Sequence, residues 1–260
     1  MTGYDLRGEL ALDPLFATFV MTASPVAVEA LAATPFAALC LDMEHSTLSA
    51  GEVEALVRAA DAHGRPMIVR VPTIGSDIPR VLDAGAAGII VPQVETAEQA
   101  RSVVDRARYA PIGRRGLGAA RGALYGAALS EHWVDDVNAR TLVTVQIETA
   151  AGVEAADEIL ATPGIDAVVI GPGDLSLSLG VPMGSSDYWA AVDRVFAAAR
   201  ARGVAPGSFC FRDPDLPELL RRGVRLVFLS GDLTWMLEGA SRQWDRLQEA
   251  VAAEAREGVR

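Results

Sequence analysis

Short apolar runs rich in β-branched residues recur along the chain and alternate with longer stretches whose apolar positions repeat every three to four residues. Runs of the first kind read as strands buried on both faces. They fall at 17–22 (ATFVMT), 37–42 (AALCLD), 67–71, 88–92, 142–148, 166–170, 203–209 and 225–230. Helical spacing covers 49–64, 96–110, 149–161 and 186–203, with Ser49 placed to cap the first of these and His63-Gly64 to end it. Eight strands alternating with helices predict a parallel sheet closed into a TIM-type (β/α)₈ barrel, with an open doubly wound sheet as the alternative. The 260 residues suit one such barrel, so 1–260 reads as a single domain.

Two segments depart from the rhythm. Residues 111–140 are rich in Gly and Arg and read as a long loop between the fourth and fifth strands; ordered loops of that length are commonly functional. From about 232 to 257 the apolar positions Leu233, Met236, Leu237, Ala240, Trp244, Leu247 and Val251 mark one helix. It is longer than a barrel's closing helix requires, which predicts a subunit contact.

Charge and composition narrow the function. The chain carries 34 acids against 23 bases, a net −11, which opposes nucleic acid and anionic membranes as partners. No apolar run approaches the roughly 18–20 residues of a membrane span. The N-terminal MTGYDLRGELALDPLF has no secretory pattern. Cys40 and Cys210 stand far apart with no CxxC motif and read as buried thiols. Together these predict a cytoplasmic protein. All 23 bases are arginine, because the sequence contains no lysine. That excludes side-chain Schiff-base chemistry, including imine-forming aldolases and lysine-anchored pyridoxal phosphate.

Barrel active sites form at the C-terminal strand ends, and the polar residues collect there. The second strand runs into Asp42-Met43-Glu44-His45, the third ends near Arg70, the fifth carries Gln146 and Glu148, and the sixth leads into Gly171-Pro172-Gly173-Asp174. Gln146 and Glu148, two apart on a strand, leave the same face. Two carboxylates and an amide oxygen suit Mg²⁺, Mn²⁺ or Co²⁺. A metal-free alternative is an internal salt bridge from Glu148 to Arg70. His45 is the one histidine near a strand end and reads either as a proton-transfer group or as structural, while His63 and His132 read as capping or solvated. Asp83 alone is a helix-terminal carboxylate. Arg114, Arg115 and Arg121 either form a solvated basic loop or receive an anionic substrate.

At these residues the chain resembles the HpcH/HpaI aldolase family of metal-dependent class II pyruvate aldolases. The resemblance rests on LDMEH (41–45), IVRVP (68–72), LDAGAAGIIVPQVETAEQA (82–100), RYAPIGRRGLG (108–118), VQIETAAGVE (145–154), VIGPGDLSLSLG (169–180) and FLSGD (228–232), and is collinear from about Phe19 to Asp232. It implies an aldehyde-lyase that cleaves 4-hydroxy-2-oxo acids to pyruvate and an aldehyde, or runs the reverse condensation. In that reading Glu148 and Asp174 hold the divalent metal, and Gln146, Gly171, Pro172, Gly173 and Phe19 line the substrate site. Arg70 neutralises the enolate oxygen, and His45 with Asp83 forms an acid–base dyad. The resemblance also implies exchange of the final helix between subunits in a hexamer built as a trimer of dimers. Phe19 stands where many relatives carry tryptophan, and Gly173 where alanine or asparagine is frequent; both bear on the acceptor pocket. A lyase acting on acyl-CoA thioesters, like citrate-lyase β-subunits, is one alternative, although the chain has no evident nucleotide motif. A non-catalytic barrel that binds a small acid is the other.

Overall fold

The computed structural model describes residues 4–211 and 213–257, so the two ends of the 1–260 domain and the first residues of the N-terminal reading lie outside the described part. The eight apolar runs form eight parallel strands in one closed barrel, which settles the choice against an open sheet. The strands are β1 (Leu15–Val20), β2 (Ala38–Asp42), β3 (Met67–Arg70), β4 (Gly88–Val91), β5 (Leu142–Ile147), β6 (Ala167–Ile170), β7 (Ala205–Cys210) and β8 (Leu226–Gly231). Around them, in chain order, run α1 (Leu6–Leu12), α2 (Pro25–Ala32), α3 (Ala50–Ala62), α4 (Asp77–Asp83), α5 (Ala97–Ala107) and α6 (Trp133–Arg140). The second half adds α7 (Ala150–Glu154), α8 (Ala156–Leu160), α9 (Pro172–Leu179), α10 (Ser186–Ala201), α11 (Leu216–Arg221) and α12 (Asp232–Glu257). Ser49 caps α3 through a reciprocal capping box with Glu52, and His63 closes it, as its sequence predicts.

Two strand boundaries move for identifiable reasons. β1 ends at Val20 because the N–H groups of Met21 and Thr22 leave the sheet and donate to the Asp232 carboxylate, each at 3.1 Å. β7 starts at Ala205 because Gly203, at φ +69°, turns the chain out of α10 through the left-handed region.

Apolar side chains pack in two layers. One lies between the strands and the helices and includes Val57, Val69, Ile89, Val104, Val145, Ile159 and Phe196. The other fills the barrel, where Phe19, Cys40, Ile68, Ile90, Val169, Phe209 and Phe228 point inward. Leu6 and Leu10 of α1 join this inner layer. The sequence reading had no helix there; α1 stops the N-terminal end of the barrel, and Arg7 pins it to Asp166 (2.8 Å) and the Asn138 carbonyl (3.0 Å). Cys40 and Cys210 are buried free thiols, and desolvation pushes the Cys40 thiol far above its ordinary range, so it stays protonated and inert.

The 111–140 segment is not one continuous loop. It contains a 3₁₀ turn at Arg121–Gly126 and the helix α6. Two of its four arginines are committed to carboxylates and are not solvated: Arg115 meets Asp83 at 2.6 Å beneath the Tyr109 ring, and Arg121 meets Asp61 at 2.5 Å. Arg114 is exposed beside Asp105. His132 precedes α6 and is solvated, next to Glu131.

α12 is anchored at its start, where Asp232 holds the end of β1 and Trp235 Nε1 donates to Thr18 Oγ1 at 3.0 Å. Beyond that the helix projects, leaving Leu233, Met236, Leu237, Trp244, Leu247 and Val251 exposed. Among the described residues no helix is long and apolar enough to cross a membrane.

Candidate active site

Register puts the first two site residues side by side. Asp42 and Arg70 are partners across β2 and β3, both facing inward at the C-terminal ends of their strands. Their side chains form a bidentate pair, Arg70 Nε to Asp42 Oδ1 at 2.9 Å and Nη2 to Oδ2 at 2.6 Å. The guanidinium lies between the Phe19 and Phe209 rings, 5.0 and 5.1 Å from their centroids. Burial opposes its charge, but the Asp42 hydrogen bond and the Asp42 and Glu44 charges outweigh this and hold its pKa above the ordinary range. Arg70 Nη1 stands 3.2 Å from Glu44 Oε2 at ion-pair distance, and that oxygen makes no well-aligned hydrogen bond.

Asp42 also shapes the loop after β2, since its Oδ1 accepts the N–H groups of Glu44 (3.0 Å) and His45 (3.3 Å). This Asx-type turn lifts His45 out of the barrel mouth. The imidazole is exposed, with Nε2 3.8 Å from Glu44 Oε2.

Glu148 follows the last residue of β5 and is almost completely buried. Gln146 Nε2 donates to its Oε2, and the backbone N–H of Gln93 donates to Oε1 at 2.9 Å. Gln93 reaches it through a left-handed conformation (φ +56°), a strained one for a residue with a side chain. Desolvation raises the Glu148 pKa; the Gln146 hydrogen bond opposes this, and the Glu44 and Asp174 charges add to it. Glu44 is raised likewise, by burial first, against Arg70 and with Asp42 and Asp174. The salt bridge from Glu148 to Arg70 considered from the sequence does not form; Arg70 belongs to Asp42 and Glu44.

Gly171-Pro172-Gly173-Asp174 is the start of α9 and not a free turn, with Pro172 in its first turn and Asp174 exposed at the mouth. A Cβ at Gly171 would lie 2.3 Å from Glu148 Oε2, so only glycine admits the carboxylate there. At Gly173 nothing lies within 4 Å of that position, leaving open space beside the site.

Four carboxylates (Asp42, Glu44, Glu148 and Asp174) thus share one end of the barrel with the Arg70 guanidinium. The donor set fits a divalent cation: the charge balance is negative, and Gln146 Oε1 is buried without a hydrogen-bond partner. Among the described residues no three His, Cys, Asp or Glu side chains form a ready-made metal cluster. A cation here would draw on carboxylates together with the Gln146 amide oxygen.

Asp83 is not part of this end. It closes α4, just before β4 begins at Gly88, at the opposite end of the strands from His45, and it is paired with Arg115. Within one chain the structure does not bring His45 and Asp83 together. The residues that sequence reasoning left without a role are Asp42, Glu44 and Gln93. A hint was present for the first two, which stand in the same run as His45. None was present for Gln93, whose contribution is a backbone N–H.

A closed parallel barrel whose C-terminal mouth gathers carboxylates around one buried arginine defines the class, a (β/α)₈ barrel enzyme acting on a small molecule. The model of the HpcH/HpaI aldolase/citrate lyase family matches residues 15–238. The chain is 38% identical over 242 residues to the hydroxypyruvate/pyruvate aldolase of Paraburkholderia phytofirmans, covering 89% of this chain and 92% of that one. It is 37% identical to the 4-hydroxy-2-oxovalerate aldolase of Novosphingobium aromaticivorans, covering 89% of each. The crystal structure of an HpcH/HpaI aldolase from Desulfitobacterium hafniense superposes with a TM-score of 0.88 at 29% identity, covering 95% of this chain and 97% of that one. The protein belongs to the HpcH/HpaI aldolase/citrate lyase family.

Proposed function

We propose that this protein is a metal-dependent pyruvate aldolase, cleaving 4-hydroxy-2-oxo acids to pyruvate and an aldehyde and running the reverse condensation. The observation that carries the reading is the uncompensated carboxylate cluster around Gln146, Glu148 and Asp174, set beside a buried arginine. Relatives named as pyruvate aldolases support it. The absence of lysine closes the imine route for any side chain.

Glu148 and Asp174, with Gln146, would hold Mg²⁺, Mn²⁺ or Co²⁺. Such a cation supplies Lewis-acid stabilisation to a 2-oxo acid. Arg70, rigid between two rings and Asp42, places positive charge where the enolate oxygen develops, and its position requires no reorganisation. The first-turn N–H groups of α9 at Gly173 and Asp174 have no helical acceptor and receive the substrate carboxylate. Phe19, Pro172 and Gly171 shape the wall. His45, exposed at the mouth, moves the proton at the aldol hydroxyl or at carbon three.

The test is pyruvate release from a panel of 4-hydroxy-2-oxo acids by the metal-loaded protein, with C3 hydrogen exchange of pyruvate in deuterated solvent as the half-reaction. His45→Ala should slow both by about 10²–10⁴-fold. Borohydride with pyruvate should trap no adduct. Unchanged exchange in His45→Ala would remove the histidine from the mechanism, and a lysine-free adduct tied to activity would overturn the metal route.

The dyad of His45 with Asp83 is proposed between copies, since Asp83 lies at the far end of its own barrel. A homo-oligomer, a hexamer by family resemblance, is supported by the exposed apolar stripe of α12, a surface that a stable monomer would bury. Light scattering should report the oligomer at micromolar concentration, and Trp244→Glu with Leu237→Glu should dissociate it with loss of turnover. Mixing and reassembling inactive His45→Ala and Asp83→Ala subunits should restore part of the activity. A fully active monomer would refute both parts.

A further inference from the structure

β5 carries polar groups deeper into the barrel than the mouth requires. Val143, Val145 and Ile147 pack outward against the helices, so Leu142, Thr144, Gln146 and then Glu148 face the interior. Gln146 and Glu148 belong to the site, and Leu142 joins the apolar inner layer. Thr144 stands between them, level with Ile90 on β4 and Ala167 on β6. The inner layer around it is built from Leu, Ala, Phe, Cys, Ile and Val side chains, so a hydroxyl is out of place there. Thr144 is 0% exposed, and its Oγ1 has no hydrogen-bond partner. A buried hydroxyl in that condition is destabilising, and valine, of nearly the same shape, would avoid the cost.

The next inward group on the same strand is in the complementary condition. Gln146 is 1% exposed, its Nε2 donates to Glu148 Oε2, and its Oε1 has no donor. An amide oxygen can only accept, whereas a threonine hydroxyl can donate. Successive same-face residues of a strand lie roughly 6–7 Å apart at Cα, a spacing that a threonine and a glutamine side chain together bridge. The Glu148 carboxylate attracts Nε2 and repels Oε1, which turns the amide oxygen away from it. Among the described residues the other buried donors without a partner lie off this face of β5: Arg115 Nε, Trp133 Nε1 and Arg222 Nε outside the strands, and Ser230 Oγ on β8.

We propose that Thr144 is a positioning residue whose hydroxyl donates to Gln146 Oε1 and locks the amide in the orientation that presents Nε2 to Glu148. Oε1 has two lone pairs, so one remains for a cation. Thr144 acts on the site through Gln146, one layer above it. The hydrogen bond stands independently of the aldolase reading, while its consequence for metal and turnover rests on that reading.

The test is a double-mutant cycle in the full-length protein, Thr144→Val against Gln146→Leu, read first by urea unfolding without metal. With a solitary hydroxyl, Thr144→Val raises the midpoint, because an apolar group replaces an unsatisfied polar one. With the hydroxyl bonded to Gln146, Thr144→Val lowers the midpoint in the original background and not in Gln146→Leu, which is the expected result. Mn²⁺ affinity by titration calorimetry should weaken about three- to tenfold in Thr144→Val, the usual weight of one buried hydrogen bond, and pyruvate C3 exchange should slow with it. Thr144→Ser keeps the hydroxyl and should retain the original affinity and exchange rate, even where the missing methyl group lowers its stability. A midpoint raised in both backgrounds, or lowered equally in both, overturns the hydrogen bond. A loss of Mn²⁺ affinity in Thr144→Ser as large as in Thr144→Val overturns it too. Coupling without any change in affinity or exchange leaves a structural pair and overturns the positioning role. Failure of the original protein to bind Mn²⁺ and exchange pyruvate hydrogens rejects the aldolase reading and the positioning role with it, while the metal-free cycle still decides the hydrogen bond.

Discussion

Glu148→Gln is expected to abolish turnover, by about 10³-fold or more, while leaving the metal-free protein at least as stable as the original. The two effects have one origin. Glu148 is buried near Glu44 and Asp174, and desolvation together with those neighbours raises its pKa. Removing the charge relieves that strain, and the amide retains the shape and can still accept the Gln93 N–H. The same change removes the ligand a divalent cation needs, and with it several kcal/mol of Lewis-acid stabilisation. Thermal scanning across a Mn²⁺ titration checks both halves. The original protein should gain Tm with metal, whereas Glu148→Gln and Asp174→Ala should show no such gain. Full pyruvate release by chelator-treated protein, or an undiminished metal-induced Tm rise in Glu148→Gln, would refute the assignment. Gly171→Ala should resemble Glu148→Gln in activity, because its methyl group would displace the same carboxylate oxygen.

Arg70→Ala should be damaging to both stability and activity. It leaves Asp42, 2% exposed, without its bidentate partner, and stranding one member of a buried pair costs about 3–5 kcal/mol. Two cation–π contacts disappear with it. Urea unfolding should report the loss as a lower midpoint at constant slope. Activity should fall by about 10²–10³-fold, the usual weight of one preorganised group at a developing oxyanion. The double variant Arg70→Met with Asp42→Leu separates the two roles. Replacing a buried pair with apolar residues of similar size is often neutral, so stability should largely return while turnover stays lost. Recovery of both would reduce the pair to a structural strut.

Much of this was legible along the chain. Strand positions were readable because strands in a closed parallel barrel are buried on both faces, which makes each an uninterrupted apolar run. The site end was readable because polar residues in such runs have few reasons to be there. Gln146 and Glu148 illustrate this, since a period of two puts them on one face regardless of what lies opposite. The final helix was readable from its stripe, whose apolar residues remain uncovered in a single chain.

The remainder depended on packing. Whether Arg70 met Glu148 or Asp42 turned on which strand lies beside which and in what register, and the pairing of Asp42 with Arg70 decided it. The helix α1 was missed because seven residues give too little periodicity, and its place under the barrel comes from Leu6 and Leu10 filling the inner layer. Gln93 could not be found from its side chain, because its contribution is an N–H aimed by a left-handed backbone. The family resemblance made Asp83 a partner for His45, yet the direction of α4 carries it to the other end of its own barrel. The sequence by itself determined the secondary elements, the polar strand ends and the chemistry excluded by the lack of lysine, because each of these is local or compositional. Only the tertiary structure decided which charges meet and which carboxylates crowd one buried site, because those depend on distances between residues far apart in the chain.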